Sequence, residues 1–125
     1  MAYIPEDAKW YLADIVEEIR IEGEDNSLVH INLILIRADS PEEAYERSLE
    51  IGKQSEIIYQ NTDDQTVTTI FRGLRNLYVI HDELEHGSEL IYEEKEDLDE
   101  EQIQKLVRSK AELSVFTPRD TSNDP

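Results

Sequence analysis

At 125 residues and without cysteine, the chain is long enough to bury one core, and disulfide staples, thiolate zinc sites and nucleophilic cysteine chemistry are excluded. Thirty acidic residues against twelve basic ones leave a formal net charge of −18, which repels nucleic acid and anionic membranes, because both are bound through lysine and arginine. The N-terminal "MAYIPEDAKWYLADIVEEIR" has no basic region followed by an unbroken apolar one, and nowhere do eighteen apolar residues run together, so a soluble, unexported, cytoplasmic protein is expected.

Residues 1–8, broken by Pro5, are expected to form a short arm. In "KWYLADIVEEIRI" the apolar residues alternate: Tyr11, Ala13, Ile15, Ile19 and Ile21 share one face, and Trp10, Leu12 and Val16 the other, the period of a strand. The polar break "EGEDNS" and the apolar, β-branched "LVHINLILIRA" complete an antiparallel hairpin. Because the second strand is apolar on both faces, it is expected at the centre of its sheet, while Asp14 and Glu17 or Glu18 read as protective charges on an edge strand.

"DSPEEAYERSLEIG" starts a helix: Ser40 caps it, Pro41 takes the first helical position, and Glu43 is placed to reach back in a capping box. Ala44, Ser48, Ile51, Gly52 and Ser55 fall near one stripe, with Tyr45 and Leu49 beside it, and the small residues let the helix lie close on a sheet. "EIIYQ", "NTDDQ" and "TVTTIFRGLRNLYVIHD" read as a short strand, a turn and a long strand. Gly73 inside the long strand marks a bulge or bend. Past it, Leu77 and Val79 are expected on one face and Leu74, Tyr78 and Ile80 on the other, so both faces need cover, from the C-terminal helix, from curl of the sheet, or from a second subunit.

"SELIYEEKE" suggests a last short strand, and the nine residues of "EEKEDLDEE" hold seven acids. In "EEQIQKLVRSKAELSVF", Ile103, Leu106, Val107 and Ala111 recur at helical spacing, with acids at the front and Lys105, Arg108 and Lys110 towards the rear, as the helix macrodipole favours. "TPRDTSNDP", residues 117–125, has almost no apolar content and is expected to be a disordered tail.

Taken together, "KWYLADI", "IRADSPEEAYERSLEIGK" and "FRGLRNLYVIHDELEHGSEL" resemble the small bacterial domain-of-unknown-function family 4288, over about residues 9–92. The resemblance implies a compact bacterial module and brings no catalytic residues with it.

Candidate chemistry is sparse. His81 and His86, with Asp82 or Glu85, hold the atom types of a metal site. Their separation of five fits neither the i, i+4 of a helical pair nor one face of a strand, so "EHGS" reads as a turn with Gly87 at positive φ. Arg72 and Arg75 flank Gly73 in a chain short of bases. They could hold an anionic ligand through bidentate hydrogen bonds, with Trp10 and Tyr78 as aromatic walls, or pair internally with nearby carboxylates. No glycine-rich phosphate loop, nucleophile elbow, cofactor motif, internal repeat or low-complexity tract is found.

The expected fold is α+β: a twisted antiparallel sheet of about five strands in the order β-β-α-β-β-β, a helix on one face and a second helix at the C-terminus. The domain is expected at 9–95, the acidic linker and C-terminal helix at 96–116. The expected function is a non-catalytic protein-binding module for a basic protein partner, in antitoxin or immunity-type form, with a homodimer favoured by the doubly apolar strands. The alternative is an anionic-ligand binder or minor enzyme using Arg72 and Arg75.

Overall fold

The computed structural model describes residues 8–117; most of the expected arm and tail therefore lie outside the described residues. In chain order the elements are β1 (Trp10–Ile21), β2 (Leu28–Arg37), α1 (Pro41–Gln54), β3 (Ile57–Gln60), β4 (Thr66–Val79) and α2 (Glu100–Leu106). They fall into two compact units, one ending at Tyr92 and the other beginning at Glu93.

The alternation in β1 is realised as read: Tyr11, Ala13, Ile15 and Ile19 are buried on the face that meets α1. The polar break makes the β1–β2 turn, where Gly23 takes φ +89° and the Glu24 amide donates to the Ile21 carbonyl. From β2 the chain crosses the sheet as α1 and returns as the β3–β4 hairpin, so the spatial order is β2-β1-β4-β3, antiparallel at every step. One crossover covers one face. The core lies there, built by Tyr11, Ala13, Ile15, Ile36, Ala38 and Ala44, with Ile34, Ile51, Phe71, Leu74, Leu77 and Val79 packed against it.

The Ser40 hydroxyl accepts the Glu43 amide at 3.1 Å, as the cap predicts. The Glu43 carboxylate reaches one residue further back than a capping box would place it and accepts the Asp39 amide at 3.2 Å. Ala44, Ser48 and Gly52 are the buried stripe of α1. At Gly52 the approach to the sheet is so close that a Cβ would sit 2.3 Å from Cε1 of Phe71.

Several expectations are corrected. The α+β class and the antiparallel sheet hold, but the described residues form four strands, not five. The turn at Glu85–Ser88 is present, with Gly87 at φ +89°, yet no strand returns from it. Side chains satisfy the backbone there instead: the Ser88 hydroxyl accepts the Glu85 amide and donates to the Glu83 carbonyl, and Asp82 accepts the Glu89 amide. β2, expected at the centre, is an edge, and β1, expected at an edge, is central.

In the second unit, α2 stops at Leu106, where Val107 turns extended and two single 3₁₀ turns follow, rather than running to residue 116. A helix face needs something to pack on, and Ile103, Leu106 and Val107 are all exposed. Asp99 and Gln102 cap its start reciprocally, with acids in the first turn and Lys105 in the last. No helix among the described residues is long and apolar enough to cross a membrane.

Candidate functional site: the sheet face opposite α1

The ladder between β1 and β4 slips twice. Asp14 faces Asn76 while the next residue, Ile15, faces Leu74, so Arg75 has no partner across the ladder. Val16 faces Gly73 while Glu17 faces Phe71, which leaves Arg72 without one. Each arginine is therefore the extra residue of a β-bulge, a device that re-aims side chains. Gly73 sits between the two bulges at φ +133°, a backbone conformation side-chain-bearing residues rarely adopt. The first bulge also resets the alternation of β4, so Leu74 packs on the α1 face with Leu77 and Val79, contrary to the face expected for it.

The bulges deliver both guanidinium groups to carboxylates of β1. Arg75 donates from Nε to Oδ2 of Asp14 at 2.9 Å, with Nη2 in ion-pair contact with the same oxygen at 2.9 Å, and the Tyr78 hydroxyl donates to it at 3.4 Å. Asp14 is fully buried in the middle of β1, and its other oxygen, Oδ1, has no hydrogen-bond partner among the described residues. Arg72 lies 3.2 Å from Oε1 of Glu18. The Ser27 hydroxyl donates to Oε2 of Glu18 at 2.6 Å and Arg20 Nε at 3.1 Å. The Ser27 bond foremost, then the Arg20 bond, holds the Glu18 carboxyl below the ordinary carboxylate range.

Of the four residues expected around an anionic ligand, Arg75 and Tyr78 thus meet on Asp14, and Arg72 is drawn to Glu18. Trp10 lies on the same face, its ring covered by the Arg37 guanidinium at 5.5 Å.

Glu17 points the other way, into the α1 face. Its carboxylate accepts from Asn32 Nδ2 at 2.9 Å and from the hydroxyl of Ser55, the residue that ends α1. The carboxylates of β1 are therefore bound separately. Asp14 and Glu18 share a face but stand about 13 Å apart along the strand, and Glu17 is on the opposite side of the sheet, so none forms a paired acid–base site. His81 and His86 lie in the irregular segment after β4, and among the described residues no group of three or more His, Asp or Glu side chains could hold a metal ion.

What the alternation alone did not reveal is where the apolar surface of β2 ends up. Val29, Ile31, Leu33 and Leu35 lie opposite Glu18, Val16, Asp14 and Leu12, on the face away from α1. They are 60%, 37%, 56% and 44% exposed, respectively. The doubly apolar "LILI" fits a central strand and equally, as here, an edge strand with one face on the core and one face exposed.

Residues 10–92 match the model of a family described as a domain of unknown function, DUF4288. No curated protein and no solved structure is significantly similar to the chain. The family match takes in the whole sheet, α1, both bulges and the turn at Gly87, and the chain belongs to the DUF4288 family.

Proposed function

We propose that this chain is a non-catalytic protein-binding module that docks its partner on the sheet face opposite α1, along β2. The observation that carries this reading is the row of exposed Val29, Ile31, Leu33 and Leu35. Contiguous apolar side chains rimmed by charge mark protein contacts, and here the rim is supplied by Glu18, Arg20, Arg72 and Arg75. The net charge of −18 favours a partner with a basic rim and speeds its approach. An antitoxin or immunity-type protein, matched to a basic toxin in the cytoplasm, is one form of this reading. An anionic ligand at Arg72 and Arg75 has less support, because each guanidinium already holds a carboxylate that such a ligand would have to displace.

The test is capture of a partner from the cells that make this protein, comparing the natural sequence with Leu33→Asp. The reading expects a protein retained by the first and lost by the second, with circular dichroism and thermal unfolding unchanged. Equal retention by the variant overturns it. So does saturable binding of a small carboxylate or phosphate compound that is lost in Arg72→Gln while Leu33→Asp has no effect.

A further inference from the structure

The backbone of β2 raises a question separate from its side chains. The Ala38 amide donates to the Lys9 carbonyl across the start of the β1–β2 ladder, and in antiparallel pairing hydrogen-bonded and non-bonded pairs alternate. Ile36, Ile34, Asn32 and His30 therefore bond towards β1, and Arg37, Leu35, Leu33, Ile31 and Val29 direct their N–H and C=O outward. At the Arg37 end the outward carbonyl is occupied, accepting Arg47 Nη1 at 2.6 Å. From Val29 to Leu35 the edge meets no backbone partner among the described residues.

Natural sheets blunt such edges with short strands, bulges, proline or inward lysine. The opposite side of this sheet follows that rule: β3 has four residues, and β4 beyond it carries both bulges. The β2 edge does not. "LVHINLILIR" is ten residues with regular pairing, no proline, glycine or lysine, and no acid, in a chain where thirty residues are acidic. Among the described residues it is the long strand edge along which two copies of so negative a protein can approach without its own carboxylates meeting.

We infer that β2 pairs antiparallel with β2 of a second copy, joining the two sheets edge to edge about a twofold axis. A register centred on Asn32 uses the open edge and avoids the capped carbonyl. It sets Val29 against Leu35 of the second copy and Ile31 against Leu33, so each outward N–H and C=O of these residues finds a partner and these four-residue rows meet as apolar pairs, while on the other face Asn32 meets Asn32 and His30 meets Ile34. The two open faces then form one continuous apolar surface. The inference uses the edge alone and does not depend on the partner proposed above.

The experiment combines sedimentation with amide exchange on the full chain. At roughly 100 μM, in the range where small interfaces associate, the expected mass is twice 14.6 kDa. Added salt should tighten the dimer by screening like-charged chains. The amides of Ile31, Leu33 and Leu35 should exchange at least about tenfold more slowly in concentrated than in dilute protein. Leu33→Pro, which removes an outward N–H that no pairing among the described residues uses, should be monomeric. Leu33→Thr, which shortens the side chain but keeps that N–H, should still dimerise.

A monomer at this concentration overturns the inference. So do a dimer whose edge amides exchange freely, a dimer that salt dissolves, and a monomer whose edge amides are already protected, which would assign the edge to another segment of the same chain. If Leu33→Pro fails to fold, amide exchange in the natural sequence decides alone. Neither readout involves a foreign partner, so failure here leaves the docking face to its own test.

Discussion

Removing Arg75 from Asp14 probes the bulge most directly. Asp14 is fully buried in the central strand, with Arg75 at 2.9 Å and the Tyr78 hydroxyl at 3.4 Å on one oxygen. Truncating one partner of a buried ion pair costs about 3–5 kcal/mol, because the charge left behind stays desolvated. The Arg75 side chain, however, is 56% exposed, so water already screens its end of the pair, and the expected cost of Arg75→Gln falls to about 2–3 kcal/mol. In a urea titration with a slope near 1–3 kcal/mol/M, that lowers the midpoint by about 1–2 M. Asp14→Asn should cost less, about 1 kcal/mol, because it leaves a half-exposed cation that water can solvate. The double variant Asp14→Leu with Arg75→Met should return to within about 1 kcal/mol of the natural sequence or exceed it, since an apolar pair carries no desolvation penalty. An Arg75→Gln variant within about 0.5 kcal/mol of the natural protein would refute the reasoning, because an uncompensated buried carboxylate cannot be that cheap. A double variant as unstable as the sum of the singles would show that the two residues do not act as a unit.

Two further outcomes test the packing and the electrostatics. Gly52→Ala would gain about 1 kcal/mol from helix propensity were the site open, but the new methyl would meet the Phe71 ring at 2.3 Å; overpacking of about 1–3 kcal/mol should win, lower the melting temperature, and be relieved by Phe71→Leu in the same chain. An unchanged or raised melting temperature for Gly52→Ala would mean that α1 does not lie so close. The Glu18 carboxyl has its folded-state pKa lowered, first by Ser27, so the stabilisation it brings is present above its unfolded value and is lost as pH falls through the folded one. In a carbon-detected NMR titration Ser27→Ala should move the Glu18 pKa upward towards the ordinary range, and a titration curve that does not move would exclude the hydroxyl as the main cause.

Much of this fold is local, and local physics is legible in one sequence. The alternation of "KWYLADIVEEIRI" placed Tyr11, Ala13 and Ile15 on one face before any partner strand was known, because side chains of a strand alternate whatever lies beside it. Ser40 and Pro41 located the start of α1 because a cap is made within four residues. Gly87 marked a turn and Gly73 a bulge for the same reason, since each satisfies a backbone demand of its own segment.

The candidate site was half legible. Arg72, Arg75 and Tyr78 were named, and so was the choice between a ligand and internal carboxylates. That Arg75 reaches Asp14, sixty-one positions away, and Arg72 reaches Glu18 depends on the register between β1 and β4, and no local feature carries that register. One unpaired residue shifts every later side chain to the other face, so uninterrupted alternation puts Leu74 on the side opposite to the one it takes.

Strand order was the least legible. An apolar strand with two apolar faces looks alike whether the second face is covered or open, so the sequence points to β2 as central and to the acid-bearing β1 as an edge, the reverse of the arrangement found. The first two strands, the inward face of β1, the cap of α1 and the excess of acid are legible from the residues alone, since each arises within a few positions or from composition. That β1 is interior, that β2 is an edge, and that the two arginines meet carboxylates of β1 follow instead from which distant segments pair and in what register.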